Sequence, residues 1–334
     1  MILRAPRALV IGDVMTDVIV RPEGPVVRGS DRRASIMVQP GGSAANQAAW
    51  LASCGAGVDF VARVGAADLE RETARFKAIG VTPHLVGDPD RETGRLIALI
   101  DPDGERSFLT DRGENEALEA HDIPDALIAS ASHISLSGYS FFAPSARAAV
   151  LDVMRRAGDK PISVDPASAE FLREVGADNF LAWTRGAAIL FPNEEEASVL
   201  AGSTDPETQC ARLATLYSLV VIKRGAAGSE AVEGARRWRV NAGQVEALDT
   251  TGAGDPVVAA LLAESGRGFP VNKGPKRKVI DTTGAGDAFA AGFLAARLTG
   301  ADIPIALGRA FAAATAALAI VGGQAKRSSV QRDR

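Results

Sequence analysis

The stretch IDTTGAGDAFAAGFLAAR, residues 280–297, joins the end of an apolar strand to a helix of small residues through a glycine-rich turn. Strand–turn–helix units of this kind build α/β sheets. Short apolar runs recur along the chain; several end in Gly, Asp, Asn or Lys, and helical patterns separate many of them. This alternation predicts an α/β fold with a mostly parallel central sheet and helices on both faces.

The turn itself combines an anion pocket with a carboxylate. The backbone N–H groups of Gly284, Ala285 and Gly286, at the start of a helix, would point at one spot and stabilise negative charge there. Asp287 repels phosphate, but it can accept the proton of a hydroxyl that attacks phosphorus. The turn therefore predicts phosphoryl transfer to an alcohol, with Asp287 as the general base.

The heptapeptide DTTGAGD occurs twice, at 249–255 and at 281–287, which are 32 positions apart. We interpret residues 249–280 as a local duplication inserted into the domain. Both copies precede a helical pattern, but the helix after the second copy leads directly into the last core helix. We therefore assign the base to Asp287 and keep Asp255 as the alternative.

Composition excludes several classes of protein. The 334-residue chain has 46% hydrophobic residues, as soluble enzymes do, and its net charge of −4 gives no basic field for nucleic acid or a membrane surface. The apolar run before Asp13 is too short for a signal peptide, which predicts a cytoplasmic protein. Cys54 and Cys210 are isolated, so we expect buried thiols instead of a redox pair or a zinc site.

Two segments, about 18–40 and 93–112, interrupt the helix–strand alternation with Pro, Gly and β-branched residues. The second contains the turn sequence DPDG, typical of a hairpin. We expect the two segments to form a small β-sheet lid beside the main sheet; two unrelated surface hairpins are the alternative. Residues 1–325 are predicted to form one domain, followed by a disordered polar tail at 326–334.

The chain contains no GxxxxGK[ST], GxGxxG, HExxH or GxSxG motif, and its three histidines lie far apart. It does contain PGGSAANQAAWLASCGAGVDFVARVGAADL from residue 40, FPNEEEA from 191, VVIKRGAAGS from 220 and DTTGAGDAFAAGFLAA from 281. In this order the four segments resemble the PfkB, or ribokinase-like, family of carbohydrate kinases, from about Ala8 to Gln324. The resemblance implies a ribokinase-like fold and a kinase that uses ATP and Mg²⁺.

For the substrate, the resemblance implies that Asp17, with Asp13 nearby, binds sugar hydroxyls, since a carboxylate accepts two hydroxyl hydrogen bonds. Gly41, Gly42 and Asn46 match the family's substrate-binding glycines and asparagine. Asp165 ends a strand at the same sheet edge. The family often has Asn two positions after it, where this chain has Ala167.

For the nucleotide, the resemblance implies that Asn193 and Glu196 form the NxxE motif, with Glu196 holding Mg²⁺ through water. Lys223, Gly225 and Gly228 match the segment that lies along ATP. Asp281 and Thr283 match the family's site for a monovalent cation such as K⁺.

These residues predict an ATP-dependent kinase that phosphorylates a hydroxyl of a small sugar or sugar acid. The lid would exclude water, which competes as phosphoryl acceptor. A nucleoside kinase of the same family and a non-catalytic sugar-binding sensor remain as alternatives. Because dimers through the lid are common in the family, a homodimer is a further expectation.

Overall fold

A large, mostly parallel sheet forms the centre of the fold in the computed structural model, which describes residues 6–101, 106–241, 284–318 and 322–325. Its strand order is β13-β12-β11-β10-β9-β8-β1-β4-β5. The strands are β1 Arg7–Ile11, β4 Gly57–Gly65, β5 Thr82–Asp88, β8 His133–Ser137, β9 Ile162–Asp165, β10 Ile189–Leu190, β11 Leu219–Lys223, β12 Ser229–Glu233 and β13 Arg236–Val240. Strands β5 to β11 in this order pair in parallel, and β12 and β13 are added antiparallel. The predicted sheet is confirmed.

Helices cover both faces of this sheet, as predicted. Ala8 and Val10 of β1 pack into one buried apolar cluster, and the alternate residues Leu9 and Ile11 pack into another on the opposite face. The helices are α1 Ser43–Ser53, α2 Leu69–Ala78, α3 Asp125–Ser130, α4 Pro144–Arg156, α5 Ala169–Val175, α6 Ala177–Trp183, α7 Glu194–Ala201, α8 Pro206–Leu213, α9 Ala285–Leu298 and α10 Ile303–Leu318. Residues of α1, α2, α9 and α10 belong to the first cluster, and residues of α3 to α8 belong to the second.

A second sheet of four strands, here called the lid sheet, has the order β3-β2-β6-β7. Its strands are β2 Met15–Pro22, β3 Ala34–Gly41, β6 Gly94–Ile100 and β7 Arg106–Asp111. They come from the two segments predicted to form a lid. The DPDG turn between β6 and β7 lies mostly outside the described residues.

The register of the lid sheet separates an inner from an outer face. Asp17 of β2 lies opposite Gln39 of β3 and is buried, so its face is turned towards the main sheet. The next residue, Val18, lies opposite Val38 and Ile97, and Ile97 lies opposite Leu109. Because successive side chains alternate between faces, this apolar row lies on the outer face.

One carboxyl edge of the main sheet gathers polar residues. Asp13 follows β1, Asp165 ends β9, Asn193 follows β10 and Lys223 ends β11. An isolated bridge pairs Asn193 with Lys223. Because these strands are parallel, their carboxyl ends meet at the same edge, where α/β proteins bind ligands.

The prediction that both cysteine thiols are buried is wrong for Cys54, which is exposed just after α1, whereas Cys210 of α8 is buried. The first thiol lies at the solvent-facing end of its helix, where packing ends. Among the helices of the described residues, none is long and apolar enough to cross a membrane.

Candidate active site

Asp287 lies in the first turn of α9, directly after a left-handed glycine. Gly284, the N-cap of α9, has φ 74°, and a Cβ there would collide with the backbone of Gly323. Glycine adopts this conformation without strain and leaves room for the neighbouring segment. The N–H groups that follow have no acceptor within the helix, so they are available to an anion.

The carboxylate of Asp287 is held by the first turn of α1. Ser43 Oγ donates to its Oδ1 at 2.7 Å, and Asn46 Nδ2 donates to its Oδ2 at 2.9 Å. Burial, followed by the charge of Asp165, raises the pKa of Asp287 to about 7, although both hydrogen bonds and the charge of Lys223 act in the opposite direction. A carboxyl group with this pKa is suited to accept a proton near neutral pH.

Asp13 holds the start of α1 in place. Its Oδ2 accepts from the N–H of Ser43 at 3.0 Å, and its Oδ1 accepts from the N–H of Ala44 at 3.2 Å. Both oxygens are therefore used by the helix end that carries Ser43 and Asn46. The predicted role of Asp13 in sugar binding stays a prediction, and the structure gives this residue a positioning contact that the sequence did not indicate.

Asp17 and Gly41 lie in contact where the lid sheet meets α1. A Cβ on Gly41 would overlap the Asp17 carboxylate, so a side chain there would displace it. Asn46 lies in the first turn of α1, and its Oδ1 is buried without a hydrogen-bond partner among the described residues. Asp17 and Asn46 are both residues that were predicted to bind the sugar, and Asn46 also contacts Asp287.

Gly323 closes the site from behind. Its carbonyl oxygen accepts from Trp50 Nε1 at 2.9 Å, and a Cβ on Gly323 would overlap the Asn46 amide. Gln324 Nε2 donates to the carbonyl oxygen of Gly41 at 3.4 Å. Residues 322–325 thus contact both Gly41 and the N-terminus of α9.

Lys223 lies beside the start of α9 and contacts Asp165. Its Nζ is 2.6 Å from Asp165 Oδ2 and 3.5 Å from the position of a Cβ on Gly286. Burial opposes the charged form of Lys223, but the charges of Asp165 and Glu196 outweigh burial and hold the pKa of Lys223 above its usual value. The lysine therefore stays a cation, next to the amides that start α9.

Asn193 and Glu196 form a reciprocal cap at the start of α7. Asn193 Oδ1 accepts from the N–H of Glu196, and Glu196 Oε2 accepts from the N–H of Asn193, both at 2.8 Å. Asn193 Nδ2 also donates to Glu196 Oε1 at 2.7 Å. Burial raises the pKa of Glu196 to about 7, with Lys223 lowering it and Asp165 raising it further.

These contacts decide how a magnesium ion would fit. In the described part of the chain, no three Asp, Glu, His or Cys residues are arranged to hold a metal. A buried carboxyl group with a raised pKa gains from a nearby cation. The residues therefore fit a Mg²⁺ held mainly by phosphates and water, with Glu196 as its contact on the protein.

The remaining predicted residues are placed as follows. Gly225 starts a 3₁₀ turn between β11 and β12, with open space on its Cβ side, and Gly228 ends this turn. Gly42, the N-cap of α1, has φ 97° and packs against the backbone of Asp13. Asp281, Thr283, Asp255 and the segment 249–280 lie outside the described residues, so the cation site and the duplication stay predictions.

The sequence reasoning missed four residues around the site. Ser43 lies within the segment PGGSAAN, but no function was predicted for it. Asn115 holds the chain after β1, because it donates to the carbonyl oxygen of Val14 and accepts from the N–H of Val14, both at 2.9 Å. Arg112 and Tyr139 stack on each other, with the guanidinium carbon 4.2 Å from the ring centroid.

Comparison with known proteins identifies relatives over most of the chain. The sequence profile described as the pfkB family of carbohydrate kinases matches residues 5–268 and 260–330, so that each match contains one copy of DTTGAGD. The chain is 28% identical to a fructokinase of Klebsiella pneumoniae over 275 residues, which are 79% of this chain and 86% of that protein. It is 30% identical to an ATP-dependent ribose-1-phosphate kinase of Halopiger xanaduensis over 266 residues, 77% of this chain and 84% of that protein.

A further relative is longer than this chain. The bifunctional protein HldE of a Bradyrhizobium species is 31% identical over 280 residues, which are 76% of this chain and 54% of that protein. This chain therefore spans about half the length of that bifunctional relative.

Solved structures share the fold. Adenosine kinase from Sinorhizobium meliloti superposes with a TM-score of 0.77 at 23% identity, with 96% of each chain covered. An E. coli protein assigned as ribokinase II, solved with ATP and Mg²⁺, gives a TM-score of 0.76 at 20% identity, covering 95% of this chain and 94% of that one. At these identities the similarity shows the ribokinase-like fold.

Proposed function

Because the chain belongs to the pfkB family of carbohydrate kinases, we propose that it transfers a phosphoryl group from ATP to a hydroxyl of a small sugar or sugar acid. One observation supports this most directly. The carboxylate of Asp287, with a pKa of about 7, is held by Ser43 and Asn46 beside the free N–H groups of a helix N-terminus. A base and an anion pocket at one point are the requirements of this reaction.

In the proposed reaction, Asp287 accepts the proton of the sugar hydroxyl as its oxygen attacks the γ-phosphorus. The new O–P bond forms while the bond to the β-phosphate oxygen breaks, so ADP leaves and the phosphoryl group stays on the sugar. The backbone N–H groups from Gly284 to Gly286 stabilise the charge of the transferring group. Lys223, beside Gly286, adds a positive charge on the same side.

Residues at the start of α7 and at the end of β11 form the proposed nucleotide site. Bound Mg²⁺ supplies charge neutralisation for the triphosphate and orients it. Glu196 would contact this ion through water, and Asn193 fixes the Glu196 carboxylate by two hydrogen bonds, from its backbone N–H and its Nδ2. The open turn that begins at Gly225 leaves space for the nucleotide along the sheet edge. Use of ATP as phosphoryl donor is consistent with a reaction in the cytoplasm.

The sugar side follows from the lid sheet and α1. Asp17 accepts hydroxyl hydrogen bonds, and Asn46 Oδ1, buried without a partner among the described residues, accepts another. Gly41 and Gly42 let the backbone approach the sugar. A nucleoside is the second candidate substrate, because adenosine kinase from S. meliloti shares the fold over 96% of this chain.

An ADP-release assay tests the proposal. The purified chain would be supplied with ATP and Mg²⁺ and a panel of sugars, sugar acids, sugar phosphates and nucleosides. Turnover of a sugar or sugar acid, lost in Asp287→Asn, supports the proposal. Turnover confined to nucleosides supports the second candidate, and binding of sugar without ADP release supports a non-catalytic sensor.

We also propose that the outer face of the lid sheet pairs two copies of the chain. Apolar side chains on this face are exposed, with 64% of Ile36 and Val38 and 60% of Leu109 open to solvent. Contiguous apolar surface of this kind marks an interaction site. Sedimentation velocity should show a dimer, and Val38→Lys should shift it to monomer; a wild-type monomer at high concentration would reject this pairing.

A further inference from the structure

A second cation lies on the sugar side of the site. Arg112 follows β7 of the lid sheet, and its side chain is only 12% exposed. Lys223, the cation on the nucleotide side, has a carboxylate partner at 2.6 Å. Arg112 has no such close partner in the described part of the chain: its nearest carboxylate oxygen, Asp13 Oδ2, is 3.5 Å from both Nη1 and Nη2. This distance is beyond the usual range of a charged hydrogen bond.

Asp13 also shares its charge with the helix end. The same Oδ2 accepts from the N–H of Ser43 at 3.0 Å, and Oδ1 accepts from Ala44. The guanidinium is therefore only partly compensated, and most of its five N–H donors have no close acceptor on this carboxylate. A partly buried arginine in this state gains from a further anion that fits its planar fork.

An aromatic platform fixes the orientation of this guanidinium. Arg112 stacks on Tyr139, with 4.2 Å between the guanidinium carbon and the ring centroid. The Tyr139 ring is itself held edge-on by Phe142 at 6.1 Å and by Phe171 at 5.8 Å. The stacked face of the guanidinium is thus occupied, and its edges carry the N–H donors that remain for a ligand.

The platform is close to the reacting group. A chain of contacts leads from Arg112 through Asp13 and Ser43 to Asp287. A small sugar with a hydroxyl at Asp287 can reach this cation with another of its groups.

We infer that Arg112, oriented by Tyr139, binds an anionic group on the sugar and selects for substrates that carry one. The anion is a carboxylate or a phosphate, because both match the guanidinium fork. This inference rests on the proposed function, since it names the class of sugar that the same site takes. Arg112 is then a specificity-determining residue, and it takes no part in proton transfer.

The test uses matched pairs of sugars: an aldose with its aldonic acid, and a free sugar with its monophosphate. For each pair, kcat/KM is measured for the wild type, Arg112→Gln and Arg112→Lys, and dissociation constants are measured by calorimetry. Arg147→Gln is the matched control, because Arg147 stacks on Trp183 at the same 4.2 Å but donates to the carbonyl oxygen of Phe141. Melting temperatures show whether each variant is folded.

We expect the wild type to prefer the anionic member of at least one pair. A preference for the aldonic acid indicates a carboxylate site, and a preference for the monophosphate indicates a phosphate site. Arg112→Gln should lower kcat/KM for that member about 10- to 100-fold more than for the neutral member, the size expected for hydrogen bonds to a charged group. Arg112→Lys should restore part of the preference, and Arg147→Gln should keep all of it.

The two proposals fail in different ways. If the wild type turns over sugars and Arg112→Gln loses kcat/KM equally for both members of each pair, the role of Arg112 is overturned and the kinase proposal stays intact. Binding of the anionic member without ADP release, weakened in Arg112→Gln, would support the anion site and reject the kinase proposal.

Discussion

Asp165 and Lys223 form a 2.6 Å ion pair at the carboxyl edge of the main sheet, beside the N-terminus of α9. Both charges act on Asp287: Asp165 raises its pKa, and Lys223 lowers it. Burial is the main cause of the raised pKa of Asp287, and the pair shifts the pH at which this candidate base is ionised. This relationship leads to the first prediction.

Asp165→Asn should move the acid limb of the pH profile of kcat/KM to lower pH. In the wild type the limb should lie near pH 7, because the pKa of Asp287 is about 7 and only its ionised form accepts a proton. Removing the negative charge of Asp165, and leaving Lys223 unpaired, both lower that pKa. Asp178→Asn, at a side chain that is 96% exposed, is the control and should leave the limb unchanged. An acid limb that stays in place in Asp165→Asn would contradict the assignment of Asp287.

Asp287→Asn should reduce kcat by about 10²- to 10⁴-fold, the usual contribution of a general base. Asp255→Asn, in the first copy of the heptapeptide, is the matched control and should retain most of the activity. Steady-state kinetics on both variants with the same sugar decides between them. The opposite pattern would transfer the role to the first copy.

Ser43→Ala should reduce kcat/KM about 10- to 100-fold, because it removes a 2.7 Å hydrogen bond to the Asp287 carboxylate. This hydrogen bond lowers the pKa of Asp287, so its loss should also move the acid limb to higher pH. Ser43→Thr keeps the hydroxyl and should restore both properties. A rate loss without any change of the pH profile would show that Ser43 acts only on the fold.

Ala167→Gly should stabilise the protein by about 0.5–1 kcal/mol, because Ala167 has φ 75°, which costs a residue with a Cβ about 1–2 kcal/mol. Ala167→Asn should stabilise it as well, since asparagine tolerates the left-handed region. Urea unfolding measures both, with Ala74→Gly, at an exposed position inside α2, as a control that should lose stability. Equal destabilisation by all three substitutions would contradict the strain.

Glu114→Gln should flatten the dependence of stability on pH between about 5 and 8. Glu114 is fully buried, and neither carboxylate oxygen forms a well-directed hydrogen bond with the described residues, although the N–H groups of Glu114 and Gly94 are near. Burial raises its pKa from 4.5 to about 8. The unfolded chain therefore loses this proton first, and the wild type should lose stability as the pH rises through this window.

The variant has no such proton to lose, so its advantage over the wild type should grow from pH 5 to pH 8. Thermal unfolding at several pH values measures this difference, with Glu116→Gln, at a half-exposed side chain, as the control. Parallel stability curves for wild type and Glu114→Gln would show that Glu114 is ionised in the folded protein.

The fold could be predicted from the sequence because it depends on local patterns. Strands such as Arg7–Ile11 are short apolar runs, and helices such as Ser43–Ser53 follow glycine turns, so their order alone indicates a mostly parallel sheet. Asp287 and Asn46 lie within motifs, so their meeting at 2.9 Å was within reach of sequence reasoning. The exposure of Cys54 was not, because solvent access at a helix end depends on tertiary packing.

Contacts between segments that are distant in the sequence could not be predicted from it. Lys223 and Asp165 are 58 positions apart, and no periodicity indicates that they pair. Arg112 and Tyr139 stack because the lid sheet and the turn after β8 meet in space. Asp13 was expected to bind the sugar. In the structure it accepts hydrogen bonds from the free N–H groups at the start of α1, because the end of β1 lies close to that helix N-terminus.

The contact of Gly323 with Asn46 and Trp50 has a consequence for biosynthesis. Two of the groups that shape the candidate site, near residues 46 and 323, are far apart in the sequence. A nascent chain on the ribosome cannot complete this site until residue 323 has been translated, even if the sheet has already formed. Chains released before that point should therefore fold in part and remain inactive.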